Sequence, residues 1–445
     1  MTAPFGDVRQ VQRRRPYDRT IFHSFTNEWN RPEYYYSDST HVAIGFVDLG
    51  SLREGIFADE IVNFKWVGYE ASHYAAAKSL VLAQMLLSKC PIDDIIQVWY
   101  SSCWSLSAES SFKRAVSSLI EGKSSPSVEL HSSPALHSPQ VAALLRHWLL
   151  HSVPLEKARS AWLEHPISND EIANLMKKDD RLALASFILT GQLLEADVGS
   201  ITMFSLPVTE RIHRALEEFF IYSIDEVSVF KKRKETPDII SAALACLLSS
   251  ISRLRTLISS QNVYVVIHHQ SLSPKDHVLL HSIASLNPSS ISWSNVCDYF
   301  SHCDFHSMAK ECSTPNTIHF AYSMNWPIFV KGASVLDHEN ADDKITMKKL
   351  IIEARLVIHE YNRLLGAEDL FLDPPVTNAR NLVDFLLQWH FHKMWVNAFF
   401  GCVDPCRVLL VEKKGWQYFS RVNSTIFLTF TYNPEIEISG NSNIH

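Results

Sequence analysis

Continuous apolar runs near the start of the chain predict buried strands with a helix between them. Residues 42–47 and 61–67 are such runs, and turn residues close both of them. Residues 71–87 are apolar on almost every side and predict a helix packed against a sheet. Residues 95–100 predict a third strand. Strands and helices in this order indicate βαβ packing and a parallel sheet.

The middle of the chain changes to helical patterning. Residues 122–140 are rich in Ser, Pro and His without any period, and predict a surface linker. Thr236-Pro237-Asp238 predicts a helix start, because it combines a hydroxyl cap, a proline at the first helical position and an early acid. Strand character returns later, at 263–267, 291–293 and 317–322, and these strands could complete the early sheet.

The C-terminal part combines helical stripes with short β runs. Apolar stripes at 347–365 and 382–389 predict two helices. The runs at 408–411, 417–419 and 425–432 predict a small β-meander. The predicted fold is α/β: a Rossmann-like, mostly parallel sheet with a helical insertion and a C-terminal extension of helices and antiparallel β structure. The predicted divisions are an N-terminal arm (1–36), the first part of the core (37–121), the linker (122–140), the helical insertion (141–260), the return to the core (261–335), the C-terminal extension (336–433) and a tail (434–445).

Composition and charge narrow the possible functions. Hydrophobic residues make up 46% of the 445 residues and charged residues 20%, which is typical of a globular protein. The net charge of −7 provides no basic footprint, so no nucleic-acid partner is expected. The N-terminus has no apolar run after its charges, and the apolar segment at 75–87 is interrupted by Lys78 and Gln84. We therefore expect no membrane association, a cytoplasmic location and eight reduced cysteines.

The first candidate site is a cofactor site after the first strand. Gly45, Asp48 and Gly50 would form the turn, and Glu70 follows the second strand, where an acid can bind ribose hydroxyls. The glycines at 45, 50 and 55 do not have the G-x-G-x-x-G spacing. The alternative is that Gly45 and Gly50 serve the turn or the packing, and that Glu70 is an acid at a helix N-terminus.

The second candidate is a zinc site in a short segment rich in Cys and His. Zinc takes four nitrogen or sulfur ligands in tetrahedral positions. Adjacent candidates would point in different directions, and the segment lacks a C-x2-C knuckle, so the alternative is a helix over 304–311 flanked by ordinary Cys and His. The candidate ligands are Cys297, His302, Cys303, His306 and Cys312, to which Cys402 and Cys406 could add.

Other possible chemistry has simpler explanations. The sequence has no G-x-S-x-G nucleophile elbow and nominates no catalytic residue. The acidic pairs at 93–94, 179–180 and 342–343 lie near predicted helix starts, where acids are favoured. The basic run at 231–234 predicts a solvated loop between helices, with a nuclear-import or phosphate-binding patch as the alternative.

Several short segments carry a family resemblance. Residues 47–53, 61–70 leading into 75–82, 97–102 and 294–299 occur in a familiar order. They resemble the N-terminal domain of unknown function found in dynein axonemal assembly factor 3 and in some MYND zinc-finger proteins. That resemblance implies a degenerate Rossmann methyltransferase fold and a cytoplasmic assembly role. The chain departs from the family in separating Asp48 and Arg53 by four residues, in carrying Glu70 where the family has Asn-Asp, and in lacking the MYND array.

These observations lead to one functional prediction and two alternatives. The prediction is a non-catalytic interaction or assembly protein, with protein partners and no cofactor, on a degenerate Rossmann-like core. The first alternative is a transferase that uses S-adenosylmethionine, with Asp48 and Gly50 at the cofactor turn and Glu70 at the ribose. The second is a zinc-containing binding module centred on residues 297–312.

Overall fold

The computed structural model describes most of the two predicted core segments and part of the rest. Predictions for the N-terminal arm, for the stripe at 347–365 except residue 352, for the acids at 342–343 and for the run at 417–419 lie outside the described residues. The described residues are 39–46, 48–50, 52, 63–88, 90–101, 104–122, 128–152, 178–190, 192–194, 232–260, 262–333, 352, 379–403, 406–414 and 425–433.

Strands from both ends of the chain share one sheet. The described strands form a seven-stranded sheet in the order β3-β2-β1-β4-β5-β7-β6. The first five in that order are parallel, whereas β7 runs antiparallel to both β5 and β6. The strands are β1 Ser39–Ile44, β2 Phe64–Glu70, β3 Val263–His269, β4 Ser290–Ser292, β5 Ile318–Ser323, β6 Arg407–Lys414 and β7 Thr425–Thr431.

The sheet has a hydrophobic core on each face, because its strands alternate their side chains. Ala43 and Trp66 belong to one core, while Val42 and Val67 belong to the other. Helices cover both faces, which explains why the central strands are apolar on both sides. The first core includes residues of α1 His73–Leu87, α2 Ile92–Tyr100, α3 Leu106–Glu121, α4 Val128–His131, α5 Pro139–Leu150, α6 Lys178–Thr190 and α7 Ile239–Ser259. The second includes residues of α8 His277–Ala284, α9 His302–Glu311, α10 Trp326–Phe329 and α11 Ala379–Phe400.

A helix, α7, does start after residues 236–238, but the predicted start is two residues early, because Asp238 and not Thr236 caps it. Asp238 is the N-cap, and its side chain accepts a hydrogen bond from the Ser241 N–H at 2.8 Å. Among the described helices, α7 is also the one that is long and apolar enough to cross a membrane. Its Leu247 and Ile251 lie in the first core.

The predicted strand at 95–100 is wrong, because these residues form α2. A short continuous apolar run fits a buried strand and a buried helix equally well. Ile92, Ile95, Ile96 and Trp99 follow the i, i+3, i+4, i+7 spacing of a helix, but a run that starts at residue 95 is too short to show this period. The acids that precede the run, Asp93 and Asp94, lie in the first helical turn, where the helix dipole favours them.

The prediction of a surface loop at 122–140 is also wrong for the residues of this segment that the structure describes. It contains α4 and a 3-10 helix, Pro134–His137, and Ala135 is fully buried. The Ser133 hydroxyl accepts a hydrogen bond from the Ile267 N–H of β3 at 3.2 Å. The small polar side chains of this segment contact the sheet. Composition alone does not distinguish a segment of this kind from a solvated loop.

The C-terminal β structure joins the main sheet. The sequence predicted a small meander as an extension of the core, and in the structure β7 pairs along β5 from His319 to Ser323. Leu428 is fully buried in the second core. The final hairpin therefore extends the sheet on the β5 side and places β6 at its edge.

Candidate functional site

The predicted cofactor residues come together at the edge of the sheet where the parallel strands end, here called the carboxyl edge. Gly45 directly follows β1, and Glu70 is the last residue of β2. The segment 293–300 follows β4, the neighbour of β1 on its other side. The strand order reverses between β1 and β4, and ligands in open α/β sheets bind at such a point.

Gly45 is packed under the segment that follows β4. Its φ of +68° is a left-handed conformation, and its N–H donates to the Tyr69 carbonyl at 2.9 Å. A Cβ atom at this position would lie 3.1 Å from Val296 Cγ2 and 3.8 Å from Ser294 Cβ. The Val296 side chain therefore packs against Gly45, and glycine is needed for both the turn and this contact.

The Asp48 carboxylate is bonded to three groups of its own chain. Asp48 Oδ1 accepts from the Gly50 N–H at 2.7 Å. Its other oxygen, Oδ2, accepts from Trp99 Nε1 at 3.0 Å and lies 3.4 Å from Lys78 Nζ. Because Lys78 is on α1 and Trp99 on α2, Asp48 and Gly50 tie the turn to both helices.

Glu70 serves the start of α1. It is buried, and its Oε1 accepts from the Ser72 N–H at 2.8 Å. Ser72 is the N-cap of α1, and its hydroxyl accepts from the Ala75 N–H. This arrangement matches the alternative in which Glu70 is an acid at a helix N-terminus.

A buried carboxylate that the sequence did not nominate lies beside this turn. Asp298 accepts hydrogen bonds from the Ser323 hydroxyl, from the Met324 N–H at 3.0 Å and from the Asn325 N–H at 3.1 Å. Burial raises the pKa of Asp298 to about 6, although these hydrogen bonds act in the opposite direction. Asp298 thus holds the segment after β4 against the end of β5. Asp298 lies in the segment 294–299, which the sequence analysis singled out. The sequence did not show that its carboxylate would be bonded to Ser323, Met324 and Asn325.

The rest of that segment is bonded to β5 as well. Ser294 accepts the Tyr322 N–H through its carbonyl at 2.9 Å, and its hydroxyl lies 3.0 Å from the Tyr322 hydroxyl. Trp293 is fully buried, and its Nε1 donates to His319 Nδ1 at 2.9 Å. These bonds fix Val296 in its position above Gly45.

The candidate zinc ligands do not come together as one set, although Cys303 interacts with Cys402, and Cys402 with Cys406. Cys297 donates to the Tyr322 carbonyl, whereas His306 bonds to the Tyr432 hydroxyl and the Phe399 carbonyl. Within the described ranges, no group of three or more His, Cys, Asp or Glu side chains could hold a metal ion. The remaining candidates are His302 against aromatic rings of α11, Cys303 exposed to solvent and Cys312 buried in the second core.

The prediction that the basic run at 231–234 is solvated is wrong for one of its residues, Arg233. Arg233 is buried, and its Nε lies 2.6 Å from Asp180 Oδ1 of α6. The same oxygen accepts the Ile239 N–H at 2.8 Å. Lys232 does lie on the surface, paired with Glu235 at 2.6 Å. A run of four basic residues does not show which one points inward.

Replacing Gly45 tests whether the space above the turn is filled. We expect Gly45→Ala to lower the free energy of unfolding by about 2–3 kcal/mol, because a positive φ alone costs about 1–2 kcal/mol and the Cβ also presses on Val296. Gly122→Ala is the matched control, since Gly122 has a φ of +61° with nothing within 4 Å of the added atom. Chemical denaturation measures both. Equal losses in the two variants would mean that the space above Gly45 is open.

Comparison of the whole chain with models of protein families, with curated proteins and with solved structures finds no match.

Proposed function

We propose that this chain is a non-catalytic, cytoplasmic interaction or assembly scaffold on a Rossmann-like core. One observation carries the proposal: the residues that would hold a cofactor are packed against, or hydrogen-bonded to, other groups of their own chain. Val296 packs against Gly45, and the carboxylates of Asp48 and Glu70 accept hydrogen bonds from their own chain. A nucleotide at this point would have to displace packed side chains and break these bonds.

The strand order supports the Rossmann-like description. The order β3-β2-β1-β4-β5 contains the first five strands of the doubly wound order 3-2-1-4-5-6. Helices cover both faces of that sheet, as they do in doubly wound folds. A fold of this kind hosts many functions, so the function must be argued from the carboxyl edge.

Exposed apolar side chains at the carboxyl edge support a role in protein binding. Tyr299 is 57% exposed, and Phe329 on α10 is 53% exposed beside Ile328. The segment with Tyr299 and the start of α10 are adjacent, because Asp298 bonds to the backbone of Met324 and Asn325. Exposed aromatic residues at a rigid position are typical anchors of protein interfaces.

Native purification of the full chain tests the scaffold proposal. We expect the protein to retain a partner in stoichiometric amount, and Tyr299→Ser with Phe329→Ser to release it, since the two rings would no longer fill partner pockets. Leu182→Ser is the matched control, because Leu182 is 58% exposed on α6, which packs in the other core. Quantitative mass spectrometry of the eluted proteins gives the readout. The absence of any stoichiometric partner, or equal retention by all three proteins, would contradict the proposal.

A second candidate function is methyl transfer from S-adenosylmethionine. It is favoured by the position of Glu70 at the carboxyl end of β2, beside the reversal of strand order. The antiparallel β7 between β5 and β6 also matches the sheet of Rossmann-like methyltransferases. This candidate predicts that Glu70→Ala abolishes cofactor binding while the circular dichroism spectrum stays unchanged. Undiminished cofactor binding in that variant would rule out Glu70 as the ribose ligand.

A further inference from the structure

Two neighbouring thiols lie away from the carboxyl edge turn, where α9 begins and α11 ends. Cys303 is the second residue of α9, and Cys402 follows the last residue of α11 by two positions. Both are exposed, their side chains interact with one another, and the Cys402 thiol donates to the Phe399 carbonyl at 3.3 Å. Both cysteines are free thiols.

The backbone that carries the two thiols is held in place by contacts that involve no bond between them. His306 Nε2 donates to the Phe399 carbonyl at 3.0 Å, and so links α9 to the last turn of α11. The ring of His302 packs edge-on against Phe399 and Trp395, with centroids 5.2 and 5.5 Å away. The proximity of the thiols is therefore built into the packing of the two helices.

We propose that Cys303 and Cys402 form a reversible modification site that reacts with a small-molecule disulfide such as oxidised glutathione. In the first step the thiolate of one cysteine attacks the disulfide, forming a protein–glutathione mixed disulfide and releasing one glutathione thiolate, which takes up a proton. In the second step the other cysteine loses its proton and attacks the protein sulfur of the mixed disulfide. The products are the Cys303–Cys402 disulfide and two glutathione thiols, so two protein thiols are oxidised and one disulfide is reduced.

The surroundings predict the order of attack. Burial, together with the hydrogen bond and charge of Cys303, raises the pKa of Cys402 to about 11. Because of this raised pKa, only a small fraction of Cys402 is in the reactive thiolate form at neutral pH. Cys303 therefore makes the first attack. Cys402 then resolves the mixed disulfide within the molecule, where its effective concentration is in the range of about millimolar or above. The resulting bond would fasten the end of α11 to the first turn of α9.

Peptide mapping of the full-length protein tests this site. The reduced protein is incubated with oxidised glutathione, quenched with acid, alkylated and digested for mass spectrometry. We expect one cross-linked peptide pair joining Cys303 to Cys402, and little mixed disulfide. Cys402→Ser lacks the resolving thiol, so its mixed disulfide at Cys303 should be at least ~10-fold more abundant than in the wild type.

Cys406→Ser is the matched control. Cys406 lies close enough to Cys402 for the charges to interact, but burial raises the pKa of Cys406 to about 12. This variant should form the Cys303–Cys402 link as the wild type does. Two findings would overturn the proposal: a wild-type protein that accumulates the mixed disulfide without the link, or a link that joins Cys402 to Cys406.

Discussion

Lowering the pH from 7 to 5 is expected to reduce the free energy of unfolding by about 4–5 kcal/mol, through three buried histidines and one opposing aspartate. Burial lowers the pKa of His41 and of His319 to about 3 and that of His306 to about 4. The ordinary value, 6.5, applies in the unfolded chain. Below pH 6.5 the unfolded chain therefore binds protons that the folded protein does not, and stability falls until the pH reaches the folded pKa values.

The size of this effect follows from linkage. Each of these histidines contributes a loss of about 2 kcal/mol between pH 7 and pH 5. Asp298 acts in the opposite direction, because burial raises its pKa to about 6 and the folded state takes up that proton first. Asp298 therefore raises the free energy of unfolding by about 1 kcal/mol over the same interval. The histidines outweigh it, so the net change is destabilising.

Urea denaturation at pH 7, 6 and 5 measures this loss. His319→Gln should reduce the pH-dependent loss by about 2 kcal/mol, whatever its own stability at pH 7. His281→Gln is the control, since the His281 side chain is 72% exposed and its replacement leaves the buried rings in place. Equal stability of the wild type at pH 7 and pH 5 would contradict the burial of these rings.

Arg233→Ala is expected to have the second large effect, a loss of about 3–5 kcal/mol in the free energy of unfolding. Arg233 and Asp180 form an ion pair whose side chains are only 8% and 1% exposed. Removing the guanidinium leaves a buried carboxylate without its compensating charge. The Arg233 Nη1 also bonds to the Thr236 carbonyl, so the variant loosens the turn that leads into α7.

The neighbouring lysine provides the control for that experiment. Lys232 pairs with Glu235 on the surface, and its removal should leave the urea midpoint unchanged. Arg233→Lys should fall between the two variants, since it keeps the charge but loses the planar fork. If Arg233→Ala and Lys232→Ala proved equally stable, Arg233 would have to be solvated.

The sequence predicted the sheet well where strands are short and β-branched. Residues 263–267 and 317–322 predicted β3 and β5 to within two residues, because their apolar runs are bounded by turn residues. The error at 95–100 arose because the apolar run was considered without Ile92, which completes the i, i+3, i+4, i+7 spacing of α2. The pairing of β7 with β5 could not be predicted, since register between strands so distant in sequence depends on tertiary packing.

The sequence predicted where the candidate site lies, but it did not predict which side chains pack against the site residues or bond to them. Gly45 and Glu70 were expected at the ends of two strands, and they lie there because parallel strands end at one edge. Gly45 packs against Val296, which comes from a segment about 250 residues further along the chain. The partners of Asp48 are likewise set by the packing of α1 and α2. No local pattern reports such contacts.

Calorimetric titration of the full-length protein with S-adenosylmethionine and S-adenosylhomocysteine tests the central claim most directly. If the chain fills its own strand-end site, neither ligand should give saturable heat, although circular dichroism shows a folded protein. Val296→Ala serves as a comparison, because it removes the side chain that lies above Gly45. Saturable binding of about one equivalent by the wild type, lost in Glu70→Ala, would contradict the scaffold account and identify a working cofactor site.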